Sequence, residues 1–183
     1  MRTDQIEELY RIIAAPMMRF PDELLIYGQR AGEYCVVTVT CHPDDQGRLI
    51  GAGGRMYKAC EHLIAIAGKK AGIHARLVIK SEFRSTHELR PFEPKENWNR
   101  TDNEYVEALL WDVLVYVGID PIDVRVSNAS KWKTVALVST PEVLTDQMRL
   151  SLETVFNAIG KGMGRYIYLD IAYEGASQSI GAR

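Results

Sequence analysis

The sequence has few cysteines, no membrane-length apolar run and no metal-ligand spacing. Among its 183 residues are three cysteines, Cys35, Cys41 and Cys60, with no CxxC. Cys35 and Cys41 fall on one face of a strand-like run, roughly 20 Å apart, too far for a disulfide. Cys60 falls on an apolar helix face, so all three read as reduced core thiols of a cytoplasmic protein. No Cys and His spacing suits a metal, and no cofactor is expected. No apolar run reaches the ~18–20 residues a membrane span needs, and the N-terminus lacks the apolar stretch of a signal peptide, so no membrane is expected. Charge of one sign is also lacking: the net charge is −2, so any basic surface must be local. Catalytic constellations are missing as well. Strand alternation sends Cys41 and His42 to opposite faces, and Asp44 and Asp45 read as acids of a helix first turn. His62, His74 and His87 have no partner recognisable in the sequence, and no enzymatic activity is expected.

What is present is glycine, concentrated in Gly47-Arg48-Leu49-Ile50-Gly51-Ala52-Gly53-Gly54-Arg55. Glycine allows a sharp bend and lets a ligand approach the backbone. A helix over Met56–Ala67 is predicted just after it, so the amides and positive dipole end of that helix face the loop and suit an anion. Neither nucleotide loop fits. A Walker loop ends in Gly-Lys-Ser/Thr, where this chain has Gly54-Arg55-Met56, and the third glycine of a dinucleotide fingerprint falls on Met56. A plain glycine turn with no ligand remains the alternative on the loop residues alone.

The flanking chain narrows the choice. Ile6, Leu9, Tyr10, Ile13 and Met17 repeat at helical spacing, and Pro16 and Pro21 end that helix. Glu23–Gly28 and Glu33–Cys41 read as strands joined through Gly28–Gly32. Pro43-Asp44-Asp45 opens a short helix, Gly68–Gly72 reads as a turn, and Ile73–Lys80 as a strand. The order helix, strand, strand, helix, GxxG, helix, strand resembles a type II KH domain. His42–Arg55 is similar to the Pro-Asp/Glu-Asp-x-Gly-x-x-Ile-Gly-x-x-Gly-Arg segment of the small bacterial KhpA-type KH RNA-binding proteins. The resemblance covers the first ~80 residues and implies that the GxxG clamps a nucleic-acid backbone across about four nucleotides. Such loops usually carry lysine or arginine between the glycines, whereas this chain has Ala52 and Gly53.

Arg84–Asn103 is polar, carries Pro91 and Pro94, and reads as a linker in which Phe92 and Trp98 act as anchors. The remainder repeats the plan. Val106, Leu109, Leu110, Val113 and Val117 form a helical stripe, with Trp111, Leu114 and Val115 apolar beside it. Strands follow at Ile122–Val126 and Lys131–Ser139, joined by a turn at Asn128-Ala129-Ser130. A helix opens at Thr140-Pro141-Glu142, Gly160–Gly164 turns the chain, and Arg165–Tyr173 closes it. This copy has no GxxG, and its acids outnumber its bases. The expected class is α+β: a type II KH domain (α-β-β-α-α-β, a three-stranded sheet with helices on one face) plus a second KH-like α+β domain lacking GxxG. The expected boundaries are 1–83, a linker 84–103, a degenerate KH-like domain 104–173 and a flexible tail 174–183.

The function this implies is non-catalytic binding of single-stranded RNA. Gly51, Ala52, Gly53 and Gly54 would contact the backbone, and Ile50 and Met56 would wall the groove. Arg48, Arg55, Lys58, Lys69 and Lys70 would supply charge. By resemblance the role is that of an RNA chaperone or regulator, with a ribosome-linked or other RNA-binding protein as partner. The apolar second helix is expected to pack on the first half, on a partner or on another copy. The first half is expected to bind RNA by itself. Two alternatives stay open: a protein-interaction scaffold that keeps the KH shape without nucleic acid, and a binder of single-stranded DNA.

Overall fold

The computed structural model describes residues 3–80, 92 and 94–174. Helix α1 spans Thr3–Ala14 and buries Ile6, Leu9, Tyr10 and Ile13 on one face. Pro16 ends it in a 3-10 turn, Ala15–Met17. Strands β1 (Leu25–Ala31) and β2 (Tyr34–Thr40) form an antiparallel hairpin. The sequence suggests a connection over Gly28–Gly32, but β1 continues to Ala31, because Gly32 alone supplies the positive φ the turn needs. Helix α2 (Pro43–Ile50) and helix α3 (Arg55–Lys70) flank the GxxG, and β3 (His74–Ile79) pairs parallel with β2. Gly68, expected in a turn, lies inside α3, which runs on to Lys70. A Cβ on Gly68 would stand 2.7 Å from the Ile73 carbonyl oxygen, so the helix and β3 meet there without room for a side chain.

The second half has the same strand topology and one helix fewer. Helix α4 spans Arg100–Val117, β4 Asp123–Ser130, β5 Lys133–Thr140, α5 Asp146–Gly162 and β6 Tyr166–Tyr173. Each sheet has three strands, in the orders β1-β2-β3 and β4-β5-β6, with an antiparallel hairpin and a parallel last strand. The likeness extends to single atoms. The Glu7 carboxylate accepts from the Gly28 amide at 2.9 Å, and the Glu107 carboxylate accepts from the Val126 amide at 2.7 Å. A Cβ on Gly160 would stand 2.7 Å from the Arg165 carbonyl oxygen, matching Gly68.

Several boundaries differ from the sequence reading. The linker does not reach Asn103: Asn99 and Asp102 form a capping box that starts α4 at Arg100. Asn128-Ala129-Ser130 lies in β4, and the turn falls at Lys131-Trp132. No helix opens at Thr140-Pro141-Glu142. The Thr140 hydroxyl donates to the Glu142 carbonyl, and α5 starts only at Asp146, where the Thr145 hydroxyl accepts from the Met148 amide at 3.2 Å. Phe92 and Trp98 do anchor: Phe92 lies on Tyr166 with ring centroids 4.5 Å apart, and the Arg165 guanidinium stands 5.2 Å from the Trp98 ring. The expected linker stretch 84–91 and the tail from 175 fall outside the described residues.

The helical layers of the two halves face each other and share one core. Helix α3 packs on α5 and on α4, α1 packs on α4, and α5 packs on the turn Ala15–Met17. The approach is close. A Cβ on Gly162 would stand 2.6 Å from the Met17 Cα, and one on Gly118 would strike the Lys70 side chain. His62 on α3 lies 2.9 Å from the Ser151 hydroxyl on α5. On α4, the apolar helix expected to pack on the first half, a partner or another copy, Leu114 is fully buried, whereas Trp111 is 41% exposed.

Candidate nucleic-acid interface

Helix α2 is positioned by its ends. His42 caps it, its Nδ1 accepting from the Asp44 amide at 3.2 Å. Buried Asp45 accepts from the Arg19 and Phe20 amides, which ties α2 to the segment after α1. The Gln46 amide group donates to the Lys80 carbonyl at 3.2 Å and fixes α2 against the end of β3. The loop between α2 and α3 therefore sits at a set height above the β3 edge.

Within the loop Gly51, Gly53 and Gly54 all have positive φ, at 70°, 62° and 73°. A non-glycine backbone would be strained at each. Space separates the three. A Cβ on Gly51 would stand 2.7 Å from the Met56 Cβ, whereas those on Gly53 and Gly54 would meet nothing within 4 Å. Ala52 and Gly53 are exposed. The amides are less free than the sequence suggests. The loop winds into a 3-10 turn, Ala52–Gly54, in which the Gly54 amide donates to the Gly51 carbonyl at 3.1 Å and the Arg55 amide to the Ala52 carbonyl.

Beside the loop lies an open groove of about 370 Å³, lined by Ile50 and Tyr57 on the helical side and by Arg76, Leu77, Val78 and Ile79 of β3. Ile50 lines this groove. Met56 is 3% exposed and packs under Gly51, because the first turn of α3 rotates it inward and turns Tyr57 toward the groove. The Tyr57 hydroxyl lies 2.8 Å from the Leu77 carbonyl and 3.1 Å from the Glu61 carboxylate, with one proton to donate. Burial and the Glu61 carboxylate push the Tyr57 phenol above its ordinary pKa, so the hydroxyl stays a donor. Tyr57 and the β3 residues were missed because the apolar period of α3 and the alternation of β3 predict burial, not which edge faces a groove.

The cations divide. Arg55 and Lys58 are exposed on the first turn of α3, with the Arg55 Nε donating to the Ala52 carbonyl at 3.3 Å. Arg48 is turned away: it donates to the Met17 carbonyl at 2.7 Å and its Nε stands 3.6 Å from the Asp45 carboxylate. Lys69 and Lys70 sit at the far end of α3, ~21 Å along its axis from Arg55. The Lys70 side chain lies against Gly118, at the negative end of α4.

Burial pushes the Cys60 thiol up to about 12 and the Cys41 thiol up to about 11, so both stay protonated near neutral pH. Among the described residues no cluster of His, Cys, Asp or Glu is placed to hold a metal ion, and no helix is long and apolar enough to cross a membrane.

The family model for the KhpA/KhpB KH domain matches residues 7–79, from within α1 to the end of β3. The RNA-binding protein KhpA of Oceanobacillus iheyensis is 32% identical over 59 residues, which are 32% of this chain and 79% of that protein. With the type II strand order, the GxxG between α2 and α3 and the groove beside it, these likenesses agree, and the chain belongs to the KhpA/KhpB KH family.

Proposed function

We propose that this chain binds single-stranded RNA and performs no catalysis. The observation that carries the reading is the groove between Tyr57 and the edge of β3, opening beside an exposed glycine loop. Phosphate approaches the exposed Ala52 and Gly53, with open space over Gly53. Arg55 and Lys58 stand on the same turn of α3 and carry the nearest charge, with Arg76 across the groove. Bases enter between Ile50 and Val78, and the outer edge of β3, which pairs with no other strand among the described residues, offers backbone groups to their hydrogen-bonding edges. Lys69 and Lys70 act at a distance, and Arg48 and Met56 hold the loop in shape. The second half contributes as a partner for the helical face. Its connection from β5 to α5 has neither an α2 counterpart nor a GxxG. Family membership supports, as part of this proposal, work as an RNA chaperone or regulator in the cytoplasm with a ribosome-linked or other RNA-binding partner.

A salt titration of a labelled single-stranded RNA tests the reading. Log affinity should fall with log salt at about −0.7 per phosphate contact, and Arg55→Gln with Lys58→Gln should flatten the slope by about 1.4. A KH-shaped scaffold without RNA binding would show no complex even at low salt. Matched DNA oligomers in competition separate RNA from single-stranded DNA.

A further inference from the structure

The face of the first sheet that points away from the helices is open. Tyr34 is 66% exposed and Tyr27 60%, and Val36 and Val78 are exposed beside them. Strand register sets their places. Tyr27 shares a row with Thr38 and Val78, Val36 with Arg76, and Tyr34 with His74. The His74 ring stacks on Tyr34 with centroids 5.3 Å apart at 30°. None of the three strands contains Asp or Glu; the nearest acids in sequence are Glu23 before β1 and Glu33 in the hairpin turn. Arg76 belongs to this face by register and also lines the groove, where its charge opposes the rise in the Tyr57 pKa. A cation thus stands where a strand leaving the groove over the β3 edge would meet the sheet.

The second sheet gives an internal comparison. On its outer face Phe92 lies on Tyr166, and the Lys133 ammonium stands 4.3 Å from the Tyr168 ring. Asp123 and Asp170 lie on that face by register. Its rings are occupied by the chain's own residues and its charge is mixed. Among the described residues the first face leaves Tyr27 and Tyr34 mostly exposed, Tyr34 with His74 stacked on it, with only cationic or titratable basic groups among its strands. Bases stack on such rings whatever their sequence, and cations take the phosphates.

We propose that this outer sheet face is a second contact surface for single-stranded RNA, stacking bases on Tyr34 and Tyr27 after the strand crosses Arg76. The proposal rests on the groove reading given above. Tyr34 and Tyr27 stand roughly 14 Å apart, four residues along the strand direction and one strand over, so an oligonucleotide must extend beyond the groove to reach both. A loop clamp covers about four nucleotides.

The test uses the full chain and fluorescein-labelled uridine oligonucleotides of four and twelve nucleotides, read by anisotropy. Tyr27→Ala with Tyr34→Ala removes exposed rings and should leave the melting temperature in place. The expected result is a loss of at least about fivefold for the dodecamer and no change for the tetramer. Ala52→Asp with Gly53→Asp should weaken both. Unchanged dodecamer affinity in the tyrosine variant overturns the second surface and leaves the groove standing, including when that variant instead alters self-association in sedimentation. A dodecamer weakened by the tyrosine variant yet untouched by the loop variant keeps the sheet face and removes the groove. A wild-type chain that binds neither oligonucleotide overturns both.

Discussion

Aspartates at Ala52 and Gly53 place negative charge where the phosphate is proposed to sit. Both residues are exposed, and a Cβ on Gly53 meets nothing within 4 Å, so the side chains have room. Conformation sets the cost. Gly53 lies at φ 62° and ψ 23°, a left-handed backbone that aspartate tolerates better than most residues, at about 1 kcal/mol. For a chain of this size that lowers the melting temperature by about 2–4 °C. The cost to binding is larger. A carboxylate about 6 Å from a phosphate is repelled by about 0.7 kcal/mol in a water-like dielectric and by about 2.8 kcal/mol at an effective dielectric of 20. Two carboxylates therefore remove about 1.4 kcal/mol or more, a loss of about tenfold at the least. Anisotropy with a labelled tetranucleotide measures the affinity, and circular dichroism the melting temperature. A folded double variant that binds as tightly as the parent would refute the placement of phosphate at the loop.

Three further outcomes follow from the packing. Tyr10 is fully buried and its hydroxyl has no hydrogen-bond partner among the described residues, so Tyr10→Phe should raise stability by about 1 kcal/mol, a melting shift of about +2–4 °C; a lower melting temperature would mean that the hydroxyl is satisfied in solution. Burial holds the His62 pKa below its ordinary value of 6.5, so between the folded value and 6.5 the unfolded chain binds more protons. Stability should then fall as pH drops below about 6.5, and denaturant midpoints across that range should lose part of their slope in His62→Gln. A fragment of residues 1–83 exposes the faces of α1 and α3 that pack on α4 and α5, so it should melt below the intact chain and self-associate in sedimentation; a monomeric fragment with the parent's melting temperature would contradict the shared core.

The alternation of Cys35, Val37 and Val39 and the helical stripes of Ile6–Ile13 and Val106–Val117 are local patterns, and they specified their elements in both halves. The GxxG was legible for a related reason, since positive φ at Gly51, Gly53 and Gly54 demands glycine and leaves a visible signature. Boundaries were less legible where competing bonds decide them. Nothing in Thr140-Pro141-Glu142 shows that the Thr140 hydroxyl turns to the Glu142 carbonyl and leaves the cap to Thr145. The apolar period of α3 already predicts a buried Met56, but the groove wall was hidden because the outward turn of Tyr57 depends on how α3 rotates against Gly51. The fate of Arg48 was hidden too, since its partner Met17 lies far away in sequence. The packing of the helical layers left only the repeat as a trace, and nothing in the local pattern marks Gly118 and Gly162 as the small residues that permit it.

The most direct test of the account is amide chemical-shift mapping of the full chain titrated with a four-nucleotide single-stranded RNA. The account predicts shifts confined to the loop and first turn of α3, from Ile50 to Lys58, and to β3 from Arg76 to Ile79, with α5 and β6 unmoved. Shifts centred on the second half, or none at RNA concentrations that saturate other single-strand binders, would contradict it.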